Sequence, residues 1–542
     1  MSLILYVRTL APGLLFGDPG EFQFAAWRFG LAHPTGYPLY LVLGGLWQHL
    51  LALFGMDPAY TLNLFSAVTA AGTVGLVYLL LGRWLRPGWQ REPIAMGSAL
   101  FLAVIPTFWS HALVAEVYAL HALLLTLLLW VLTGAPRLSI HRSSLGVTLP
   151  TGLGSPFVLA ALILGLALTH HRTSLFLAPG VAVWWLWKGG RSRRELAGMC
   201  AGLVLPQLLY LYVPLRSGPD ASPWLYQALD GEVLRLYEPG VGGFIRFITG
   251  QVFAVSFLGP AEAWARLPQM VELWRTNVTW VGLLFMAVGL VHLFRNRRWD
   301  VLLLTLPFAL MQQVFNLFYG IGDIFAYYMA LYLVGAIWAA FGAEALVIWL
   351  KGVWQGVPGR ERAGQIALLG VMALLPAALL VRFYAPVDQS GNVQARAMWQ
   401  AITAALPDQD AILISNDRNE IVPLYYLQAV EEAAPHVTGL FPLITQEPRF
   451  AHLNGVIHTA LGEGGGRPVW LIKPMPGVEA AYDVAAGPAP LVQVLGNVSL
   501  PEDVAQIDTR YGPLTLLGLR RQRNGDEQVI DLYWRVEAGV EG

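Results

Sequence analysis

The chain has 542 residues, of which 56% are hydrophobic and only 13% charged. A soluble globular protein carries roughly 25% charged residues, so an ordinary water-facing surface is excluded and much of the molecule must face lipid. The net charge of −1 gives no bulk attraction to nucleic acid, and the single cysteine, Cys200 in an apolar run, excludes an intrachain disulfide and reads as a small buried hydrophobe.

Apolar runs long enough, or nearly long enough, to cross a bilayer lie at 1–16, 60–81, 93–109, 111–133, 155–169, 173–187, 196–214, 276–295, 300–319, 325–350 and 364–383. The first is short against the roughly 20 residues that a span needs, and it has neither a basic leader nor a small-residue cleavage site. A further run, 37–54, is apolar but holds Gly44, Gly45, Gln48 and His49. Loop charge decides how to read it, because cytoplasmic loops carry excess Lys and Arg. Four connections are strongly basic, around Arg83/Arg86/Arg91, Lys188/Arg191/Arg193/Arg194, Arg295/Arg297/Arg298 and Lys351/Arg360/Arg362; a fifth holds Arg137 and Arg142. All five share a side with the N-terminus only if 37–54 lies at the outer interface. The expected fold is therefore a polytopic α-helical membrane protein with about 11 transmembrane helices, in the plasma membrane, N-terminus cytoplasmic and C-terminal region extracytoplasmic. The membrane part covers 1–384, with a first outer loop at 17–59 and a long outer loop at 216–275.

Polar residues in chain order then gather on the outer face. Asp18 and Glu21 sit in Gly17-Asp18-Pro19-Gly20-Glu21, directly before a segment able to start a helix. Asp18 suits an N-cap there, with Glu21 at the third helical position; capping and chemistry weigh about equally on spacing alone. His33-Pro34-Thr35-Gly36-Tyr37-Pro38 is a rigid loop in which Tyr37 otherwise serves as an aromatic anchor. Trp109-Ser110-His111 forms a tight outer turn, and Glu116, Tyr118 and His121 enter the next span. Ionisable residues in a span are costly and face a cavity or a partner, although an isolated glutamate there is more often bonded to a neighbouring helix. His170-His171-Arg172 joins two apolar runs. Adjacent histidines at a helix end diverge and make a poor metal pair; with an arginine beside them they suit phosphate or hydroxyl contacts. Arg216 ends Tyr212-Val213-Pro214-Leu215-Arg216 on the same face, and snorkelling is the plainer reading of both arginines. Asp220 and Asp323, the latter beside Tyr327 and Tyr328, complete the set. Together these residues suit a lipid phosphate with its tail in the membrane, and a carboxylate that takes a proton from an attacking hydroxyl. No Gly-rich nucleotide loop follows a strand in the membrane part.

After Phe383 the composition changes. Pro386 to Asn392 reads as a linker, 393–406 and 422–430 as helices, and 411–415 and 469–472 as buried strands. This is a small α/β domain over 385–500. Asn416-Asp417 at the strand end reads as a turn. Strands at 514–519 and 528–536 within 501–542 resemble the opening of a β-sandwich module, with acceptor recognition as its expected role.

Gly17-Asp18-Pro19-Gly20-Glu21 followed by Ala32-His33-Pro34-Thr35-Gly36-Tyr37-Pro38-Leu39-Tyr40 resembles the signature of a widespread bacterial membrane family. That family includes the vertebrate transmembrane O-mannosyltransferase that modifies plexin-type receptors. Ala115-Glu116-Val117-Tyr118-Ala119-Leu120, His170-His171-Arg172 and Tyr212-Val213-Pro214-Leu215-Arg216 resemble it too, over residues 1 to about 220. Pro19 stands where the family usually has serine, and Thr35 where it has a second proline; neither change removes a charge. The resemblance implies a GT-C glycosyltransferase fold, a sugar donor on a polyprenyl-phosphate carrier at the outer face, and an acidic catalytic residue in the first outer loop. Asp18 then matches the general base and Glu21 its acidic partner, with a divalent metal possible at the pair. Arg172 and Arg216, on chemical grounds, hold the carrier phosphate. The implied reaction is an inverting transfer of a mannose-like sugar to a hydroxyl of a protein or glycan acceptor. A lipid-linked sugar flippase, which would show repeat symmetry, and a lipid-carrier glycan ligase are the rival readings.

Overall fold

The computed structural model describes residues 1–134, 155–188, 192–218, 221–222, 225–229, 232–235, 237–353, 360–443, 448–500, 503–512, 514–524 and 527–536. Asp220, Arg137, Arg142 and Arg191 lie outside the described residues.

The chain forms two compact units, Met1–Gln400 with Asp417–Pro435, and Ala401–Asn416 with His436–Gly542. The first is helical. In order it contains α1 (Ser2–Arg8), α2 (Gly17–Trp27), α3 (Pro38–Ala52), α4 (Pro58–Trp84), α5 (Arg91–Ala103), α6 (Pro106–His111), α7 (Val117–Gly134), α8 (Pro156–His170), α9 (Ala178–Trp187), α10 (Arg193–Val204) and α11 (Tyr212–Leu215). A small hairpin, β1 (Tyr226–Leu229) with β2 (Glu232–Arg235), precedes α12 (Val241–Thr249), α13 (Pro260–Ala265), α14 (Leu267–Arg295), α15 (Trp299–Phe318), α16 (Met329–Val353), α17 (Arg360–Val387) and the start of α18 (Gln394–Ala405), whose last residues count with the second unit. Among the described residues, six segments are long and apolar enough to cross a membrane: Pro58–Trp84, Arg193–Leu215, Pro260–Arg295, Trp299–Phe318, Ile324–Val353 and Ala363–Val387. Val117–Thr133 and Pro156–His170 are shorter apolar helices. The chain is a multi-pass membrane protein.

Several expected runs are divided. The stretch 1–16 is helical only over Ser2–Arg8. The run 93–109 breaks at Val104-Ile105, where Pro106, which has no N–H to continue a helix, opens α6 instead. Trp109-Ser110-His111 is accordingly the end of a helix, and the expected tight turn is absent. The run 173–187 is a 3-10 helix, Arg172–Leu177, followed by α9. The linker expected from Pro386 to Asn392 starts two residues later, because α17 continues through Pro386 to Val387. Cys200 is exposed, carried outward by α10 inside an apolar candidate span.

Two buried amides hold the amino-terminal loop in place. The Gln23 amide donates to Asn63 Oδ1 at 3.0 Å and accepts from the Leu15 N–H at 3.1 Å. Asn63 donates to the carbonyls of Ala11 and Gly13, each at 3.1 Å, and accepts from the Ala115 N–H at 2.9 Å. Both side chains are fully buried, and together these bonds tie loop 9–16, α2 and the residues just before α7 to α4. A buried polar network is worth its desolvation only when it is satisfied in this way.

Helix α19 (Arg418–Val430) belongs to the first unit by its packing, although it follows a strand of the second by three residues. The second unit has a five-stranded sheet ordered β4-β3-β5-β7-β6, made of β3 (Ala411–Ile414), β4 (Val437–Leu440), β5 (Val469–Leu471), β6 (Tyr482–Ala486) and β7 (Val492–Asn497). Strand β3 pairs parallel with β4 (Leu413 opposite Gly439) and with β5 (Leu413 opposite Trp470). Strand β7 runs antiparallel to β5 and β6. The fully buried Ala411–Ile414 explains the unbroken apolar run of a central strand. Helices α20 (Pro448–Ala451) and α21 (Leu453–Glu463) lie between β4 and β5 in the chain. A three-stranded antiparallel sheet, β8 (Ala505–Tyr511), β9 (Leu514–Asn524) and β10 (Glu527–Val536), contains the strands expected near the C-terminus.

Candidate active site

Asp18 and Glu21 lie in the first and second turns of α2, three residues apart and so on one face of the helix. Phe16 is the N-cap and no side chain caps the helix. Of the two readings of Asp18, capping is not realised: Gly17, in a left-handed conformation, already belongs to the first turn, so Asp18 falls inside the helix, one residue too late to cap it. Both carboxylates are left to other partners, and the helix N-terminus favours negative charge there.

Loop 28–37 returns to meet them. Gly36 has φ +86°, and a Cβ there would come within 2.9 Å of the Phe247 ring, so only glycine fits. The turn brings His33 back onto Glu21: its backbone N–H donates to Glu21 Oε1, and its Nδ1 lies 2.9 Å from Oε2. The His33 ring packs against Phe22 and Tyr37, with centroids 5.6 and 5.2 Å apart. Arg418, at the start of α19, supplies the remaining charge. It donates to Glu21 Oε2 at 3.0 Å and forms an ion pair with Asp18 Oδ1. Glu21 is completely buried with both oxygens engaged, whereas the Asp18 side chain keeps 33% of its surface exposed. The two acids therefore differ in what they can do: Glu21 holds the loop and the arginine, and Asp18 can meet a substrate.

The electrostatics follow. Desolvation is the largest single influence on Asp18 and opposes its ionisation, but His33 and Arg418 together outweigh it and hold the carboxyl below its ordinary range. Burial likewise opposes the charged form of His33, yet Glu21 and then Asp18 raise its pKa. Glu116 and Asp323 lie within electrostatic range of Asp18, and Asp323 also of His33 and Arg418. Tyr37 feels Asp18, Glu116, Glu21 and Tyr327.

A second, aromatic cluster adjoins these acids. Tyr118 packs against His111, His171 and Tyr327, with ring centroids 5.2, 5.6 and 5.7 Å away. His171 stacks on His121 at 4.4 Å. His170, one residue earlier, points elsewhere as expected: its Nε2 donates to the Val117 carbonyl at 2.7 Å and its ring stacks on Tyr40. His111 Nδ1 donates to the Thr107 carbonyl at 2.9 Å. The structure thus brings Asp18, Glu21, His33, Tyr37, Glu116, Tyr118, His111, His171 and Asp323 into one connected neighbourhood.

The two arginines stand apart from it. Arg216 spends its guanidinium on the carbonyls of Phe29 and Arg28, at 2.6 and 2.9 Å, bracing the base of loop 28–37. Arg172 is exposed and lies over the Tyr210 ring at 5.1 Å. Sequence reasoning missed Arg418 altogether. Its signal was the polar run Asn416-Asp417-Arg418-Asn419-Glu420 directly after a buried strand, read there as a turn.

A divalent cation is a fair chemical question here, because one donor atom each from Asp18, Glu21 and His33 falls within 4.8 Å of the others. The arrangement does not fit one. His33 Nδ1 faces a carboxylate oxygen as a donor, both oxygens of Glu21 are used, and a guanidinium already lies between the acids.

Residues 18–194 match the model of the family described as the Protein O-mannosyl-transferase TMEM260 N-terminal domain. That match covers less than half of the chain, and over it the chain is similar to that family. The matched region begins at Asp18 and contains Glu21, His33, Tyr37, His111, Glu116, Tyr118, His170, His171 and Arg172. It is 21% identical over 502 residues to Protein O-mannosyl-transferase tmem260 of Dictyostelium discoideum, covering 85% of this chain and 60% of that one. It is 24% identical over 247 residues to Protein O-mannosyl-transferase TMEM260 of Mus musculus, covering 44% and 33% respectively. The chain thus spans 60% and 33% of the length of these two relatives, less than two thirds of either. In fold it is similar to ArnT from Cupriavidus metallidurans in the apo state, with a TM-score of 0.52, 13% identity, and coverage of 91% of this chain and 96% of that one. That likeness is one of fold alone.

Proposed function

We propose that the protein is a membrane glycosyltransferase that moves a mannose-like sugar from a polyprenyl-phosphate carrier to a hydroxyl of a protein acceptor, with inversion. The observation that carries this reading is the division of labour between two neighbouring acids: a buried, fully bonded Glu21 and a part-exposed Asp18 held ionised beside it. An ionised, accessible carboxylate can take the proton of an acceptor hydroxyl as that oxygen attacks the anomeric carbon. The carrier phosphate departs from the opposite side of the sugar with the bonding pair. Tyr118, His171 and His111 would line the sugar's side of the site. Exposed Arg172, with its guanidinium free of carboxylates among the described residues, is the cation best suited to the phosphate. Arg216 is assigned to loop support.

About 11 membrane segments are inferred from the apolar runs of the sequence, among which six described segments are long enough to cross and two more are shorter apolar helices. Loop charge favours a plasma-membrane protein with a cytoplasmic N-terminus and the region after residue 384 outside, where the 385–500 and 501–542 segments would meet the acceptor.

The test is transfer of radiolabelled mannose from polyprenyl-phosphate mannose to an acceptor peptide by the purified protein in lipid nanodiscs. Product of inverted anomeric configuration is expected. Absence of transfer from any polyprenyl-phosphate sugar, with movement of the intact lipid across the bilayer, would establish the flippase instead.

A further inference from the structure

The segment Asp417–Pro435 packs in the first unit, while the strands on either side of it in sequence belong to the second. Its seat on α2 is closely made. A Cβ on Gly20 would come 3.1 Å from Val422 Cγ1 and 2.2 Å from the Leu15 carbonyl oxygen, so glycine is what lets α19 approach. Tyr425 packs on Phe24 with centroids 5.7 Å apart. Tyr426 Oη accepts from the Ala59 N–H at 3.1 Å. Trp399 Nε1 donates to the Glu420 carbonyl at 2.8 Å, and Arg396 pairs with Glu431 at 2.6 Å. Each of these contacts fixes where the first residue of the helix points.

That residue is Arg418. One of its terminal nitrogens meets Glu21 and the other meets Asp18, so the planar guanidinium spans the pair. Without it, two carboxylates would face each other across a short distance with His33 as the remaining compensating group, and like charges so placed resist joint ionisation. A divalent ion is one chemical answer to that repulsion, and a forked, always-charged side chain is another. The two cannot share one place.

We propose that Arg418 is a positioning residue of this site, an internal cation that orients Asp18 and Glu21 where a divalent metal would otherwise be needed. The proposal rests on the assignment of Asp18 and Glu21 to the transfer reaction. Charge compensation is also measurable without turnover, so the two can fail separately.

The experiment compares full-length wild type, R418M, R418K and the R418M/D18N double variant, chelator-washed in nanodiscs. Mn²⁺ binding is read by electron paramagnetic resonance and mannosyl transfer is assayed with and without Mn²⁺. Wild type and R418K are expected to bind no Mn²⁺ tightly. R418M gains one site, which R418M/D18N loses. Transfer by R418M falls about tenfold or more and recovers in part with Mn²⁺, while R418K, which keeps the charge but not the fork, falls less than R418M. If R418M does not fold, R418K and wild type still decide. A tight Mn²⁺ site in the wild type that D18N removes would overturn the proposal, as would R418K activity no better than that of an uncharged variant. Should the wild type transfer no sugar at all, the functional reading fails while the Mn²⁺ comparison still judges Arg418.

Discussion

Two buried glutamates give the clearest comparison in the molecule. Glu21 is fully buried and Glu344 is 1% exposed. Each accepts a backbone N–H, from His33 and from Arg86 respectively, and each has a histidine beside it. Arg86 in turn donates to Asn296 at 3.0 Å, and Arg298 donates to the Trp84 carbonyl at 2.9 Å, so the Glu344 cluster ties the basic connections after α4 and α14 to α16. That cluster also has a part-exposed acid, Asp300, but its cation Arg298 bonds the Trp84 carbonyl and not Glu344, so among the described residues no cation there spans two acids. The lesson is that a buried acid in a membrane protein is not by itself a site; it becomes one when it holds an accessible partner of the same charge in place.

That contrast can be broken by substitution. E21Q leaves Arg418 and His33 without their main anion in a buried setting, and should cost about 3–5 kcal/mol of stability together with most of the transfer activity, checked by thermal melting and turnover. N63L orphans the Ala115 N–H and the Gln23 amide, and should cost about 2–3 kcal/mol, with turnover per folded molecule little changed. E344Q should cost about 1–3 kcal/mol, again with turnover per folded molecule unchanged. A large activity loss in E344Q at intact melting temperature would erase the distinction between the two glutamates.

Acid and base sharpen it further. Asp18 is held low, so its ion pair contributes full stability above the ordinary carboxylate range and loses it only as pH falls through the folded value. His33 is held high, so its contribution is full below its ordinary value of 6.5 and disappears as pH rises through the folded one. Glu21, Arg418 and Asp323 are the other charged groups facing this pair. Melting temperature should therefore stay level at mildly acidic pH and decline as pH rises above 6.5, and H33Q should flatten that decline. The smallest effect belongs to R172A: exposed on the surface, it should alter stability by no more than about 0.5 kcal/mol while raising KM for the lipid donor.

Much of this was legible in the sequence. Apolar runs and loop charge announced the membrane part, and Gly17-Asp18-Pro19-Gly20-Glu21 with His33 announced the acids. What the sequence hid has physical causes. Spacing left capping and chemistry equally weighted for Asp18, because it could not show that Gly17 starts the helix one residue early. Arg216 looked like a phosphate ligand because an arginine at a helix end advertises charge, whereas its donors are consumed by two carbonyls 187 and 188 residues away in sequence. Arg418 is 400 residues from Asp18, in a helix whose neighbours in sequence read as a separate α/β domain. No local pattern reports a pairing of that separation.

The account rests on Asp18 being the accessible base. Its most direct test is mannosyl transfer by D18N and E344Q side by side, each with its melting temperature. D18N should lose about 10²–10⁴-fold in kcat while remaining folded, and E344Q should transfer normally once corrected for folded protein. Full turnover by a folded D18N protein would contradict the account.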